Sequence, residues 1–177
     1  MADFPDGLEQ PDQRSCGAAC LVVAQALRDL GYRRRVEEQQ TFTTETLAMH
    51  ARVTSSVDVA GHIQPPWPQA LGTPPWAVAR QLEGTSRVPH RTVPVRWRDG
   101  ETTYGDLVGL TRPAAVYVGN EWLPRHVVLV LEGTHTRLQV YEPASGRVVA
   151  VDRDRFLGHK LRLGGWDVPW FTVLPQK

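Results

Sequence analysis

The chain has 177 residues, 41% of them hydrophobic, and its 20 Lys and Arg against 19 Asp and Glu give a formal net charge of +1. This length and composition predict one domain over residues 1–177, large enough to bury a core without disulfides. The balanced charge provides no broad field for an anionic partner, so we expect neither nucleic acid nor a membrane surface to be bound.

The N-terminal residues 1–7 are acidic and lack an apolar core, which argues against a Sec-type signal peptide. No apolar run is long enough to span a bilayer. The two cysteines, Cys16 and Cys20, lie four residues apart in a predicted helix, a spacing unsuited to a disulfide. We therefore expect a reducing, cytoplasmic location, with signal-independent export left open.

The first half of the chain has helical patterns and the second half has short strands. Apolar residues at helical spacing predict a first helix from residue 15 to 30, with Ser15 as its N-cap and Gly31 just after its end. The other predicted helical features are a helix over residues 44–51, a loop over 55–72, a helix capped by Thr73 with Pro74 at its first position, and a short helix over 103–110. The predicted strands cover residues 92–97, 114–118, 126–132, 137–142, 147–151 and 170–174. Helices followed by strands favour an α+β domain with an antiparallel sheet.

Cys16 is a candidate nucleophile because it stands at the predicted start of a helix. The positive end of the helix dipole favours the thiolate, which is the reactive form of cysteine. Gly17 leaves neighbouring backbone N–H groups accessible, and a tetrahedral oxyanion needs such donors. The backbone N–H of Cys16 is one candidate donor, and the side-chain amide of Gln10 is the other, with Gln13 as a weaker rival.

Other roles for the cysteines remain open. Cys16 could be a small buried hydrophobe, and that is the preferred reading of Cys20, one turn further along the helix. Together with a histidine the two thiols could also bind zinc, but neither a Cys-x2-Cys pair nor a fourth ligand is evident. We expect no metal and no other cofactor.

His126 is the best candidate base among six histidines, and Glu142 is its candidate partner. His126 begins an apolar strand, residues 133–135 form a plausible three-residue hairpin loop, and the next strand ends at Glu142. If Glu132 pairs with Thr136, this register places His126 directly opposite Glu142, with Cβ atoms roughly 5 Å apart. The carboxylate would then orient the imidazole, although a one-residue slip would put the two side chains on opposite faces. The alternative is a strand-edge histidine and a solvated glutamate.

Several of these motifs resemble those of the bacteriocin-processing peptidases, papain-like domains that remove double-glycine leader peptides and are often fused to ABC exporters. Residues 10–19, Gln-x-Asp-x-Arg-x-Cys-Gly-Ala-Ala, resemble their nucleophile motif. His126-Val-Val-Leu resembles their histidine strand, and residues 141–146, Tyr-Glu-Pro-Ala-Ser-Gly, resemble their Asp-Pro-x-x-Gly turn. The resemblance covers nearly the whole chain.

The resemblance implies a papain-like fold, with an N-terminal helical lobe carrying the nucleophile and a C-terminal antiparallel sheet carrying histidine and acid. It implies that Cys16 is the nucleophile, His126 the base, Glu142 the acid and Gln10 the oxyanion residue. The chain departs from the family in having Glu142 where aspartate is usual. It also has a long segment over residues 31–72, which could remodel the substrate groove.

The expected function is that of a cysteine endopeptidase that cleaves a peptide or protein through a thioester. One alternative is a papain-like toxin or effector that acts on side-chain amides as a deamidase or transglutaminase-like enzyme. Another is a catalytically silent binding module. Besides the substrate, we expect a protein inhibitor or an exporter as candidate partners.

Overall fold

The computed structural model of the protein describes residues 7–176, so the segment judged not to be a signal peptide lies outside the described residues, except for Gly7. The helices are α1 (Cys16–Ala26), α2 (Leu30–Arg35), α3 (Gln39–Thr54), α4 (Pro75–Ser86), α5 (Gly100–Asp106) and α6 (Arg153–Leu157), with a 3-10 turn at Gln69–Leu71. Within the described residues, no helix combines the length and apolar character needed to cross a bilayer.

Six strands in the described residues form one antiparallel sheet. They are β1 (His90–Pro94), β2 (Ala114–Gly119), β3 (Pro124–Gly133), β4 (Arg137–Glu142), β5 (Arg147–Asp152) and β6 (Val168–Pro175). Their order across the sheet is β1-β6-β2-β3-β4-β5. An antiparallel sheet preceded by a helical lobe confirms the predicted α+β class.

Both faces of the sheet are covered, which explains why its central strands are apolar throughout. Along β2 all six residues are buried, and alternate side chains enter different cores. Ala115 and Tyr117 face the core built with α1, α3 and α4. Val116 and Val118 face the second core, which includes residues of α5 and α6.

The first helix is shorter than predicted. It ends at Ala26 instead of residue 30, and Gly31 lies inside α2 rather than after a helix. Asp29 explains the difference, because its side chain accepts the backbone N–H of Tyr32 at 2.9 Å and so caps α2. A capping hydrogen bond therefore begins a new helix where the apolar spacing predicted continuation.

The other predicted elements were right in kind and differ at their ends. The helix predicted over residues 44–51 lies within α3, the helix predicted from Pro74 begins at Pro75, and the helix predicted over 103–110 is α5, three residues earlier. Each predicted strand overlaps an observed one. Helix α6 was missed because five residues are too few to give a periodic pattern.

The pairing of β3 with β4 differs from the predicted register by two residues near the end of β4. Val130 pairs with Val140, whereas the predicted register aligns it with Leu138. At the turn, Glu132 pairs with Gln139 instead of the predicted Thr136, a difference of three residues, and a bulge between residues 130 and 132 reduces it to two. An irregularity of this kind depends on local packing and leaves no clear mark in the sequence.

The prediction that His126 stands directly opposite Glu142 was therefore wrong. Continued by one residue, the observed alignment places Glu142 beside Val128, two residues from His126. Because side chains alternate with period two, an even shift keeps His126 and Glu142 on the same face. They are diagonal neighbours instead of direct cross-strand partners, which is still within reach of long side chains.

Gly133 allows the segment after α5 to pack closely against the β3–β4 hairpin. A Cβ atom there would lie 1.8 Å from the backbone carbonyl oxygen of Leu107. We expect Gly133→Ala to lower the free energy of unfolding by about 2–3 kcal/mol, because backbone must move to relieve the clash. Urea denaturation measures the change.

Gly105→Ala in α5 is the control, since its Cβ would meet open space. It should be neutral or should stabilise the protein by about 0.5–1 kcal/mol, as expected for glycine replaced by alanine in a helix. Equal effects of the two variants would contradict the close approach of Gly133 to Leu107.

Candidate active site

Helix α1, which begins with Cys16, is buried on almost every side. Ten of its eleven residues are buried, because the helix lies against the sheet and against α3 and α4. One turn after Cys16, the thiol of Cys20 donates to the carbonyl oxygen of Val127 at 3.5 Å. This contact attaches α1 to β3 at the residue next to His126.

The turn before α1 is organised by Asp12. Its Oδ1 atom accepts the backbone N–H groups of Arg14 and Ser15 at 2.8 and 2.9 Å. Ser15 occupies the N-cap position, as predicted, but its hydroxyl donates to the carbonyl oxygen of Asp12 at 3.3 Å instead of capping the helix. Cys16 is thereby fixed as the first residue of α1, at the positive end of the helix dipole.

Gly17 allows the segment before α4 to pack against the start of α1. A Cβ atom at Gly17 would lie 2.8 Å from Cβ of Thr73, so a larger residue requires a shift of one of the two segments. The carbonyl oxygen of Thr73 accepts the hydroxyl of Tyr117 at 2.8 Å, which ties this segment to β2. Gly17 is thus needed for packing, in addition to the open backbone that the sequence suggested.

His126 lies near the start of β3 and forms a buried pair with Glu142. Its Nε2 atom is 2.7 Å from Oε1 of Glu142, and each residue is 6% exposed. The side chain of Cys16 also acts on the imidazole, because its charge and polar interaction with His126 raise the pKa of the ring. Because Nε2 faces Glu142, Nδ1 is the nitrogen available to the thiol.

The pair is charged at neutral pH. Burial lowers the pKa of His126, but hydrogen bonds with Cys16 and Glu142 and the charges of those groups raise it to about 9. Burial raises the pKa of Glu142, but the hydrogen bond and charge of His126, with backbone N–H donors, hold it below its usual value. Both shifts favour an imidazolium beside a carboxylate.

Backbone groups also hold the Glu142 carboxylate. The N–H of Ala144 donates to Oε1 at 2.9 Å, and the backbone N–H of Gly164 helps to lower the pKa of the carboxyl group. The turn that follows ends at Gly146, with φ of +65°, and a Cβ atom there would lie 2.7 Å from backbone atoms of Leu8. Glycine at this position therefore lets the N-terminal segment pass against the turn.

Gln10 links the turn before α1 to the turn after β4. Its backbone N–H donates to the carbonyl oxygen of Pro143 at 2.8 Å. Its side-chain Nε2 donates to the carbonyl oxygen of Asp12 at 2.7 Å. The rival candidate, Gln13, is exposed.

Two other histidines, His50 and His90, contact backbone carbonyl oxygens outside this cluster. His50 in α3 contacts the carbonyl oxygen of Gln69, and His90 contacts that of Val88. Among residues 7–176 no three His, Cys, Asp or Glu side chains are grouped as a metal site requires. The structure thus brings Cys16, His126 and Glu142 together and attaches Gln10 beside them.

The sequence reasoning missed Gly164. Its signal was available in principle, because the adjacent glycines 164 and 165 lie between Leu163 and Trp166, a pattern typical of a two-residue hairpin turn. That the turn would lie against His126 could not be deduced, because it follows from contacts distant in sequence.

The fold is similar to that of a bacterial protein whose structure has been solved. The Pseudomonas avirulence protein AvrPphB matches with a TM-score of 0.50 and 12% identity, over 90% of this chain and 89% of that one. The fold is papain-like. The chain is also similar to the peptidase domain of Streptococcus ComA, a bifunctional ABC transporter of a quorum-sensing pathway, with a TM-score of 0.49 and 18% identity over 97% and 99% of the two chains.

The Streptococcus mutans ComA peptidase domain matches with a TM-score of 0.45 and 15% identity, over 96% of this chain and 99% of that one. No protein-family profile matches the chain, and a search of curated proteins finds no match. At these identities the similarity establishes the fold, and the chemistry must be argued from the residues of the site.

The His126–Glu142 pair predicts a dependence of stability on pH. The pKa of His126 is raised from its ordinary 6.5 to about 9, so its contribution to stability is complete below pH 6.5 and is lost as pH rises through about 9. We expect the melting temperature to fall over this range. The fall should be weaker in Glu142→Gln, which lacks the charge that stabilises the imidazolium.

Glu132→Gln is the control, because it removes an exposed carboxylate from β3, the strand that carries His126. Its melting temperature should follow the pH profile of the wild type. A profile for Glu142→Gln that matches the wild type would show that the ion pair contributes nothing to the dependence.

Proposed function

We propose that the protein is a cysteine hydrolase in which Cys16 is the nucleophile, His126 the acid and base, and Glu142 the group that orients His126. The observation that carries the proposal is the buried 2.7 Å pair of His126 and Glu142, and the influence of Cys16 on the pKa of His126 supports it. Acyl transfer to a thiol uses a nucleophile beside a base, and a third group that orients the base. The papain-like fold supports the same chemistry.

Acylation begins from the ion pair in which the Cys16 proton already resides on His126 and the sulfur is a thiolate. The sulfur attacks the carbonyl carbon of an amide, and the C–N bond breaks as His126 returns its proton to the departing nitrogen. The products are a free amine and a thioester on Cys16. Glu142 stays ionised and stabilises the imidazolium, which agrees with the raised pKa of His126 of about 9.

Deacylation uses the same residues with water. His126 accepts a proton from water as the water oxygen attacks the thioester carbonyl carbon. The C–S bond then breaks, the acyl group leaves as a carboxylic acid, and the proton on His126 restores the resting pair with Cys16. Water is therefore the co-reactant of the hydrolysis.

The oxyanion requires donors, and we assign this role to the backbone N–H of Cys16 and to Nε2 of Gln10. The first N–H groups of a helix have no partner within the helix. The Gln10 amide has two N–H groups, of which one is used by Asp12, so the other can serve the oxyanion. The hydrogen bond from the Gln10 backbone to Pro143 supports a fixed position.

A peptide or protein is the substrate class that we propose. Cys16 belongs to the helical lobe and His126 to the sheet, so the scissile amide would lie where the two meet. An extended polypeptide can present a backbone amide to such a junction, and the reaction is then endopeptidase cleavage through a thioester.

A second candidate is an effector that acts on side-chain amides, as a deamidase or a transglutaminase-like enzyme. The structural similarity to an avirulence protein is the observation that favours it. Intact-mass spectrometry of a treated substrate separates the two activities. Peptidase action yields two fragments, whereas deamidation leaves one chain and adds about one mass unit.

Substitutions should rank the residues by their roles. We expect Cys16→Ala to lower kcat by about 10⁴-fold or more, His126→Ala by nearly as much, and Glu142→Gln by less, since an orienting group contributes less than a nucleophile. Circular dichroism should show that each variant keeps the fold. Turnover that survives in Cys16→Ala would overturn the proposed mechanism.

Cys20→Ala is the matched control on the same helix. Its thiol contacts only the Val127 carbonyl oxygen among the polar groups described, so the effect should be mild and confined to stability. Complete loss of turnover in Cys20→Ala would mean that the nucleophile is assigned to the wrong cysteine.

Thiol reactivity separates an enzyme from a silent binding module without a known substrate. We expect iodoacetamide to alkylate Cys16 near neutral pH, and His126→Ala to slow the reaction on the order of tenfold or more, because the imidazolium that stabilises the thiolate is then absent. Cys20 is an internal control, since burial raises its pKa well above the ordinary value and should prevent labelling. Equal rates in wild type and His126→Ala would favour the binding module.

A further inference from the structure

Gly164 lies against the His126–Glu142 pair on its solvent side. A Cβ atom at Gly164 would lie 2.8 Å from both Cδ2 and Nε2 of His126 and 3.3 Å from Oε2 of Glu142. Gly164 is itself exposed, whereas the two side chains are buried. The backbone of this glycine therefore separates the ion pair from water.

The backbone of the same residue also acts on the Glu142 carboxylate. Its N–H helps to hold the pKa of Glu142 below its usual value, and that carboxylate accepts the N–H of Ala144 and faces Nε2 of His126. Donors on several sides hold a carboxylate in one orientation and favour its charged form. Gly164 thus contributes both close contact and a backbone N–H that favours the charged carboxylate.

A small hairpin holds Gly164 in place. Leu163 and Trp166 exchange two backbone hydrogen bonds of 2.9 Å, and the two glycines between them have φ of +56° and +85°. Positive φ at both central residues is the pattern of a type I′ turn. Leu163 is buried in the core on the α5 and α6 side of the sheet, which anchors the turn.

The hairpin is also attached to the strand beside β3. The backbone N–H of Asp167 donates to the carbonyl oxygen of Gly119 at 3.3 Å, and Gly119 pairs with Pro124 at the start of β3. The side chain of Asp167 accepts the N–H of Arg162 at 3.0 Å within the hairpin. The position of Gly164 is therefore fixed relative to the strand that carries His126.

We propose that Gly164 is a positioning residue of this site, whose Cα covers the imidazole and whose N–H holds Glu142 so that His126 presents its other nitrogen to Cys16. The inference rests on the function proposed above. In this role the Gly164 backbone shields the charged His126–Glu142 pair from water. A Cβ atom at this position would clash with the imidazole.

Gly164→Ala tests the proposal, with Gly165→Ala as the matched control. Both residues have positive φ, so both substitutions introduce similar backbone strain. A Cβ atom at Gly165 meets open space, whereas one at Gly164 meets His126. The difference between the variants therefore isolates the contact with the imidazole.

The readout is the pH profile of Cys16 alkylation, with thermal melting as a measure of stability. We expect Gly164→Ala to slow alkylation near neutral pH by about tenfold and to move the profile, and Gly165→Ala to stay within about twofold of wild type. In the Glu142→Gln background the effect of Gly164→Ala should shrink, since the two act through one pair. Equal losses in both glycine variants would overturn the proposal.

If Gly164→Ala does not fold, amide NMR of wild type and Glu142→Gln provides the test. We expect the amide proton of Gly164 to resonate downfield in wild type and to move upfield in Glu142→Gln, with the Gly165 amide as reference. An unchanged Gly164 amide would overturn the proposal.

A different result would contradict the proposed function: the rate of Cys16 alkylation would be the same in wild type and in His126→Ala. The amide of Gly164 would report on its bond to Glu142 in either case. The two hypotheses can therefore be rejected independently.

Discussion

The packing of α1 against the sheet is the contact on which the site depends. A helix buried on nearly all sides cannot turn or slide without exposing apolar surface or opening cavities, both of which are costly. The bond from Cys20 to the carbonyl oxygen of Val127 couples it to the strand of His126. With α1 fixed, the turn of Asp12 and the segment of Thr73 are held relative to Cys16 by contacts with its first turn.

The cost of burying an ion pair is the second constraint. Charges removed from water destabilise a fold unless hydrogen bonds replace the lost hydration. At this site the carboxylate of Glu142 receives the imidazole and the backbone N–H groups of Ala144 and Gly164. The donors come from a turn and a hairpin, so irregular backbone, and not strand pairing, completes the site.

The sequence predicted the parts of this arrangement that depend on local pattern. The start of α1 at Cys16, the β4 strand ending at Glu142 and the common face of His126 and Glu142 all follow from periodicity and turn chemistry. The exact pairing did not, because the hairpin closes with Glu132 opposite Gln139 instead of Thr136, and a bulge in β3 then changes the register again. Gly164 was missed for a similar reason, since its contact with His126 joins residues far apart in the chain.

The contribution of Gly164 also gives the site an order of assembly. During synthesis, Cys16 leaves the ribosome first and His126 well before the hairpin that covers it. If Gly164 acts as proposed, the site is complete only after this late segment has folded over His126.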